Sequence, residues 1–206
     1  MKKAGILLCG GQSSRMGKPK AWLPFGMETL LQRTAHTLLQ AVDSLVVVCA
    51  PGQELPLLPE GVRVVEDNAA YLGPLNGLIG GLKALPDVEA VYLSACDVPF
   101  LMPRVVEFVL HSLGDFDVAM PRFEDGRYPL SAAYRRSVLA TSEQLVASQQ
   151  LRLTTLTELH PTRWLDEASI RTVDPDLRSL DNVNTPEEYA AALQLFSTTS
   201  SKATSL

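Results

Sequence analysis

The chain has 206 residues, 46% of them hydrophobic and 20% charged, and its formal net charge at pH 7 is −5. These values are typical of a soluble globular protein and exclude a mostly disordered chain, and the lack of an apolar run of about 18 residues excludes a membrane-spanning one. The first 41 residues have a net charge of +5, whereas the remaining 165 have −10. This division argues against general nucleic-acid binding and favours a small anion held near the amino terminus.

Four short, apolar, valine-rich runs predict buried strands of a parallel sheet, because such strands are covered on both faces. Helical patterns, with apolar residues three and four positions apart, separate them. Strands that alternate with helices predict a three-layer, doubly wound α/β fold with a mostly parallel sheet. The expected strands are 4–9, 44–49, 62–66 and 90–94, and the expected helices are 29–42, 75–85 and one that follows Pro103.

The second half of the chain is less regular. Strands are expected at 117–120 and 130–134, a helix at 138–148 and a short strand at 171–173. Thr185, Pro186 and Glu188 form the pattern of a capping box, which predicts a last helix over 186–196. Residues 197–206 are mostly Ser and Thr, so we expect a disordered tail after a single domain of residues 1–196.

The three cysteines, Cys9, Cys49 and Cys96, end apolar runs and are spaced neither as a disulfide framework nor as metal ligands. The apolar run at the amino terminus is too short for a secretory signal. We therefore expect a reducing, cytoplasmic location.

The most informative segment is residues 7–20, LLCGGQSSRMGKPK, which follows the first expected strand. Ligands of doubly wound sheets bind beyond the carboxyl ends of the strands. Glycines let backbone N–H groups approach an anion, and Arg15, Lys18 and Lys20 can neutralise a polyphosphate. The glycine spacing and the proline after Lys18 exclude a Walker A loop, and the dinucleotide pattern G-x-G-x-x-G is absent. A solvated surface turn is the alternative interpretation.

This string, L-x-G-G-x-S-x-R-M-G-x-x-K, resembles the signature of nucleotidyltransferases with a Rossmann-like fold, and it is most similar to the molybdenum cofactor guanylyltransferases. The resemblance implies transfer of GMP from GTP to the molybdopterin cofactor, with Mg²⁺ as cofactor. It implies that Arg15 and Lys20 are catalytic. The family usually has alanine where this chain has Cys9. Residues of this segment would bind the nucleotide, namely Leu8, Cys9, Gly10, Gly11, Ser13, Arg15, Gly17 and Lys20.

One carboxylate, Asp97, follows the fourth expected strand, and Mg²⁺ typically uses one or two carboxylates together with substrate phosphates. A turn-capping aspartate is the alternative. The surrounding C-D-V-P-F matches the family pattern C-D-x-P-F, which implies that Asp97 is a catalytic residue and the metal ligand. Residues 73–78 match the family's G-P-L-x-G-L segment, so the resemblance also assigns Asp67 and Gly73 to the nucleotide. Loop capping by Asp67 and close helix packing at Gly73 are the alternatives.

Residues 182–188, N-V-N-T-P-E-E, resemble the family motif N-x-N-T-P-E-[DE]. The resemblance implies that Asn182 and Asn184 lie near the phosphates, the metal or the pterin, and a weaker match implies that Arg152 faces the pterin. One segment departs from the family, which often has an asparagine close to the guanine where this chain has C-A-P-G at 49–52. Any contact to the base there must come from neighbouring carbonyl groups or from elsewhere, because proline has no N–H.

By this resemblance the amino-terminal part of the domain would bind GTP and residues 115–196, approximately, the acceptor. A phosphate monoester is largely a dianion at neutral pH, so it could attack the α-phosphorus of GTP directly and release pyrophosphate without a protein nucleophile. Another nucleotidyltransferase of the same fold is an alternative, either a molybdopterin cytidylyltransferase or an enzyme for a sugar or alcohol phosphate. A non-catalytic nucleotide-binding protein is a further alternative. Molybdoenzymes or cofactor-biosynthesis proteins would be partners; nucleic acid and membranes would not.

Overall fold

The computed structural model describes residues 2–10, 17–67 and 73–203, the last four of these by backbone alone. Its strands are β1 (Lys3–Leu8), β2 (Pro24–Phe25), β3 (Glu28–Thr29), β4 (Ser44–Cys49), β5 (Arg63–Glu66), β6 (Ala90–Ala95), β7 (Val118–Phe123), β8 (Gly126–Arg127), β9 (Ala132–Arg135) and β10 (Thr162–Leu165). Its α-helices are α1 (Leu30–Leu39), α2 (Pro74–Ala84), α3 (Pro103–His111), α4 (Val138–Ala147), α5 (Leu156–Leu159), α6 (Glu167–Arg171) and α7 (Pro186–Ala203).

The main sheet has the strand order β10-β7-β9-β6-β1-β4-β5, with β8 paired to β7. Neighbouring strands run parallel on the β5 side of β6, and β7 and β10 are parallel to each other. β9 runs antiparallel to both β6 and β7. The prediction of a mostly parallel sheet is therefore confirmed. Because Leu8 pairs with both Val48 and Ala95, the strands β1, β4 and β6 end side by side at one edge.

Helices cover both faces of this sheet, which confirms the three-layer arrangement. Leu7 packs in one core with Leu31 of α1 and Val105 of α3, whereas Ile6 packs in the other core with Leu78 of α2. These side chains are fully buried, and each such burial stabilises the fold by roughly 1.5–3 kcal/mol. Successive side chains of β1 thus alternate between the two cores, so this central strand packs against helices on both faces of the sheet.

Helix α2 lies very close to β1 because glycines face the strand. A Cβ atom on Gly81 would lie 2.5 Å from Cδ1 of Ile6, and one on Gly77 would lie 2.7 Å from Cδ2 of Leu8. Only a residue without a side chain allows this approach. The first turn of α2 is thereby brought to the edge where β1 ends.

The structure differs from the sequence predictions at several short strands. The strand predicted at 171–173 is wrong, because Arg171 ends α6 and the next two residues form a turn. Asp166 caps that helix by accepting a hydrogen bond from the backbone N–H of Ser169 over 2.9 Å. The preceding strand β10, which pairs with β7, was not predicted, nor was the small β2–β3 hairpin.

The last helix is longer than predicted. Helix α7 continues to Ala203, whereas the sequence predicted its end at Phe196 and a disordered tail from residue 197. The hydroxyl groups of Ser197 and Thr199 donate to the carbonyl oxygens of Leu193 and Leu195, each over 2.9 Å. Ser and Thr side chains bonded back to their own helix in this way are compatible with a continued helix. Within the described ranges, no helix is long and apolar enough to cross a membrane.

Candidate active site

The segments that carry the predicted site residues leave adjacent strands at one edge of the sheet. Hydrogen bonding between strands continues one residue beyond them, since Cys9 N donates to Val48 O (2.9 Å) and Cys96 N to Leu8 O (3.0 Å). Asp67 N likewise donates to the carbonyl of the last residue of β4 over 2.8 Å. This backbone pairing fixes the start of each functional segment.

A cluster of Lys20, Asp97 and Asn184 lies at this edge. Nζ of Lys20 donates to Oδ2 of Asp97 over 2.7 Å and to Oδ1 of Asn184 over 2.8 Å. The Lys20 and Asp97 side chains are only 18% and 12% exposed, so their ion pair is largely shielded from water. Three residues predicted from separate motifs are therefore in direct contact.

Lys20 is positioned by a short 3-10 helix, Lys20–Trp22. The N–H of Leu23 closes this turn on the Lys20 carbonyl over 3.1 Å. Ala21, within the turn, and Leu23, just after it, are buried, which anchors the backbone of the turn while the lysine side chain reaches the cluster. Apolar burial thus fixes where the ammonium group lies.

Asn184 is positioned from the other side by the start of α7. Val183 is buried and its N–H donates to the carbonyl oxygen of Asp97 over 2.8 Å. Oε2 of Glu188 accepts from Asn184 N over 2.6 Å, and Glu188 N donates to Oγ1 of Thr185 over 3.2 Å. The predicted capping pattern is therefore present, and it fixes the Asn184 backbone. Asn182, one residue before Val183, is exposed.

Asp67 lies beside the start of α2. Its Oδ1 accepts a hydrogen bond from Nδ2 of Asn76, a residue of the first turn that is 8% exposed. Gly73, the N-cap of α2, has φ +81°, a conformation that favours glycine. Asn76 was not predicted from the sequence; a polar residue on the buried face of an otherwise apolar helix was the signal that could have found it.

The residues after β1 and β4 lie against each other. A Cβ atom on Gly10 would lie 3.2 Å from the backbone nitrogen of Ala50, so a larger residue would push the two loops apart. Gln53 bridges them, because its Nε2 donates to Cys9 O (3.1 Å) and its Oε1 accepts from Ala50 N (3.0 Å). Gln53 was not predicted from the sequence either; it follows the C-A-P-G segment at 49–52.

The predicted residues Gly17, Arg152 and Leu8 are not members of the cluster of Lys20, Asp97 and Asn184. Gly17 has φ +64°, which explains glycine at that position. Arg152 is exposed and follows Leu151, whose carbonyl oxygen would lie 3.9 Å from a Cβ atom on Gly73. Leu8 is buried in the sheet beside α2. Gly11, Ser13 and Arg15 lie outside the described residues.

The three cysteines, Cys9, Cys49 and Cys96, are free and buried near this edge. Burial raises the pKa of the Cys96 thiol to about 12, and the neighbouring Asp97 carboxylate adds to the effect. Burial also raises the pKa of Cys9 above its ordinary value. Both thiols are therefore protonated at neutral pH and are poor nucleophiles.

Asp97 has the properties that a single-carboxylate Mg²⁺ site needs. Its Oδ1 is buried and forms no hydrogen bond within the described part of the chain, although Oδ2 is paired with Lys20. Across the same residues, no group of three His, Cys, Asp or Glu side chains could hold a metal by itself. Mg²⁺ bound by one carboxylate, water and substrate phosphates fits this donor set, whereas a metal held by protein alone does not.

A cleft of about 330 Å³ opens near the carboxyl end of β7, between the β7–β8 hairpin, α6 and the segment before Asn182. Phe123 and Tyr128 form an aromatic pair in its wall, with ring centroids 5.0 Å apart. Burial and the hydrogen bond to Asp125 raise the pKa of Tyr128 to about 12. The other polar lining includes Glu124, Glu167, Arg171 and Asp181.

Comparison with known families finds a match over residues 5–162 to the family described as the MobA-like NTP transferase domain. A "Probable molybdenum cofactor guanylyltransferase" of Mycolicibacterium paratuberculosis is 33% identical over 199 residues, which cover 94% of this chain and 96% of that protein. A "Molybdenum cofactor guanylyltransferase" of Desulfosudis oleivorans is 32% identical over 190 residues, covering 91% and 93%.

A solved structure has the same fold. It is the molybdopterin-guanine dinucleotide biosynthesis protein A of Archaeoglobus fulgidus, with a TM-score of 0.79 and 22% sequence identity. The alignment covers 96% of this chain and 100% of that one.

Proposed function

The chain belongs to the family of MobA-like NTP transferase domains, and from that membership we propose that it transfers GMP from GTP to the molybdopterin cofactor with release of pyrophosphate. The curated relatives that are similar over nearly the whole chain carry the name guanylyltransferase, which favours GTP over CTP as the donor.

The contact of Lys20 with Asp97 and Asn184 is the observation that carries this proposal. Nucleotidyl transfer brings two polyanions together, so its main requirement is charge neutralisation and alignment. A buried carboxylate, one oxygen of which has no hydrogen-bond partner among the described residues, lies beside an ammonium group; it offers a place for a metal, and the ammonium group offers a cation for phosphate oxygens. Asp67, which is bonded to Asn76 in the first turn of α2, and Gly73, the N-cap of α2, support a nucleotide site on the adjacent part of the same edge.

In the proposed reaction an oxygen of the acceptor's phosphate attacks the α-phosphorus of GTP. A new P–O bond forms, the bond between the α-phosphorus and the bridging oxygen breaks, and pyrophosphate leaves with that electron pair. No proton has to be removed from a dianionic phosphate, so no protein base or nucleophile is required. The protonated cysteines at this edge agree with that chemistry.

Asp97 would hold Mg²⁺ through Oδ1, and the ion would supply Lewis-acid charge stabilisation on the phosphates. Lys20 would stabilise charge on the phosphate oxygens, held in place by Asn184. The cleft near Tyr128 is our proposed site for the heterocycle of the acceptor, because aromatic walls and carboxylates suit a flat ring with N–H donors.

Two alternatives are open to test. Another nucleotidyltransferase of the fold would use CTP, or would accept a sugar or alcohol phosphate. A non-catalytic nucleotide-binding protein would bind GTP but release no pyrophosphate in the presence of molybdopterin.

The test measures pyrophosphate release with molybdopterin and each nucleoside triphosphate in Mg²⁺. We expect turnover with GTP and little with CTP, and we expect Asp97→Asn to lower kcat by about two orders of magnitude, since it removes a preorganised charge from the site. Glu143→Gln is the matched control, because Glu143 forms a 2.7 Å pair with Lys83 outside the site.

Turnover with CTP and not with GTP would show that CTP is the nucleotide donor, contrary to this proposal. Binding of GTP without any pyrophosphate release would support the non-catalytic alternative. An Asp97→Asn variant as active as the wild type would remove the metal assignment.

A further inference from the structure

The Asp97 carboxylate already has a positively charged partner. The residue is 9% exposed, and a carboxylate this far from water requires a nearby cation or strong hydrogen bonds. Nζ of Lys20 meets that need at 2.7 Å from Oδ2. The pair is formally neutral, so Asp97 attracts a second cation much less than a lone carboxylate would.

The ammonium group is held at Asp97 from several directions. Asn184 accepts its second hydrogen bond, and the Asn184 backbone is in turn bonded to Glu188. The N–H of Val183 ties the same segment to the Asp97 carbonyl. Lys20 therefore has a fixed position beside the carboxylate.

A divalent cation on Oδ1 would lie about 2.1 Å from that oxygen and only a few ångström from the ammonium group. Two positive centres that close repel strongly in a shielded site. A triphosphate brings enough negative charge to offset this repulsion, and its oxygens attract Lys20 as well as the metal.

From this arrangement, and resting on the proposed role of Asp97 as the metal ligand, we infer that Lys20 is a built-in counter-ion that makes divalent cation binding at Asp97 depend on the triphosphate. Lys20 thus controls metal binding at Asp97, in addition to the contact with phosphate proposed above. Metal without nucleotide binds weakly, which keeps the site from being filled by free cations.

The test titrates nucleotide-free protein with Mn²⁺ and follows the free ion by electron paramagnetic resonance. We expect Lys20→Met to bind Mn²⁺ about tenfold or more tightly than the wild type, because removing one charge so close to a divalent ion has at least that effect even at the dielectric constant of water. Lys20→Arg keeps the charge and should bind like the wild type. Adding Asp97→Asn to Lys20→Met should abolish the gain.

Lys83→Met is the matched control, since Lys83 forms a 2.7 Å pair with Glu143 but both side chains are about half exposed. It should not change the Mn²⁺ affinity. Thermal melting reports whether each variant is folded; if Lys20→Met is not, Lys20→Gln makes the same test.

A Lys20 variant without charge that binds Mn²⁺ no more tightly than the wild type would overturn the inference. So would a gain that persists without the Asp97 carboxylate. The Mn²⁺ titration and the melting experiment contain neither nucleotide nor acceptor. The proposed transfer reaction can therefore fail while this inference holds, and this inference can fail while the transfer reaction holds.

Discussion

The backbone nitrogen of Val183 donates a hydrogen bond to the carbonyl oxygen of Asp97 over 2.8 Å, and this bond holds the segment before α7 against the turn that follows β6. This bond brings Asn184 to the ammonium group of Lys20. Because it is formed by backbone atoms, it does not depend on the side chain at position 184. The fold and the side-chain contact can therefore be separated by substitution.

Asn184→Ala should lower kcat/KM for GTP by about tenfold, the effect of losing one hydrogen bond to a charged group, with little change in melting temperature. Steady-state pyrophosphate release and thermal melting measure the two quantities. Gln194→Ala, on an exposed position of α7, is the control and should change neither. An unchanged kcat/KM in Asn184→Ala would show that the hydrogen bond from Lys20 to Asn184 is not needed for turnover.

Asn76→Ala should weaken GTP binding about tenfold, because Asp67 then loses the hydrogen bond that orients it. Calorimetric titration with GTP in Mg²⁺ measures this affinity. Lys83→Ala lies on the exposed side of the same helix and should bind GTP like the wild type. Equal affinity in both variants would contradict a role for Asp67 in nucleotide binding.

Gly81→Ala should destabilise the protein by about 1–3 kcal/mol, since its Cβ atom would lie 2.5 Å from the buried Ile6. Gly80→Ala, one position earlier, should instead stabilise it by roughly 0.5–1 kcal/mol, because alanine favours a helix and the nearest described atom outside the helix's own backbone would be Cγ1 of Val48, 3.9 Å away. Urea unfolding measures both. Effects of the same sign would argue against the close approach of α2 to β1.

The pKa of Asp117 is lower than its ordinary value of 3.8, because hydrogen bonds from Ser137 and His160 and the charge of Arg135 outweigh its partial burial. A carboxyl whose pKa is lowered by folding stabilises the native state above the unfolded pKa, and this contribution is lost as the pH falls through the folded pKa. Ser137→Ala should therefore lower stability at pH 6 and flatten the loss of stability below about pH 4.

Urea unfolding at several acidic pH values measures this effect. Ser148→Ala is the control, because among the described residues its hydroxyl donates to backbone carbonyl groups of α4 and not to a carboxylate. The same acid dependence in Ser137→Ala and the wild type would show that Ser137 does not set the Asp117 pKa.

All three thiols should resist modification in the native protein. At pH 8 a thiol with a pKa of about 12, as for Cys96, is ionised in about one molecule in ten thousand, and its burial also blocks access. Ellman's reagent should react over hours with native protein and at once, with three thiols, after denaturation. Rapid modification of one native thiol would contradict the burial at this edge.

The parts of the fold that the sequence predicts well are those in which local pattern and burial agree. The runs at β1, β4 and β6 are continuous apolar segments in the centre of the sheet, so their strand character is unambiguous. β10 is an edge strand with partly exposed residues, and such a segment has no comparable pattern. The Arg-Thr-Val segment at 171–173 favours a strand locally, but the Asp166 cap and the buried Ile170 favour a helix there.

In the site, too, local patterns predict individual residues but not the contacts between them. Motifs indicated Lys20, Asp97 and Asn184 individually, but their contact depends on pairings across 77 and 164 positions, which no local pattern contains. Asn76 was not predicted because its role depends on one contact, to Asp67. Gln53 was not predicted because it bonds to backbone groups of Cys9 and Ala50, which only the folded chain brings together. The roles assigned to these residues in binding and catalysis stay predictions.

Reversal of β9 has a consequence for how this architecture can diversify. Because β9 runs against its neighbours, the turn that enters it opens on the same side as the hairpin that leaves β7. Two connections from the second half of the chain thus border the edge without being attached to β1 or β6, the strands that precede Cys9 and Asp97. Under the proposed function, insertions in these two connections would change the recognition of the acceptor during evolution and leave the residues of the transfer reaction in place.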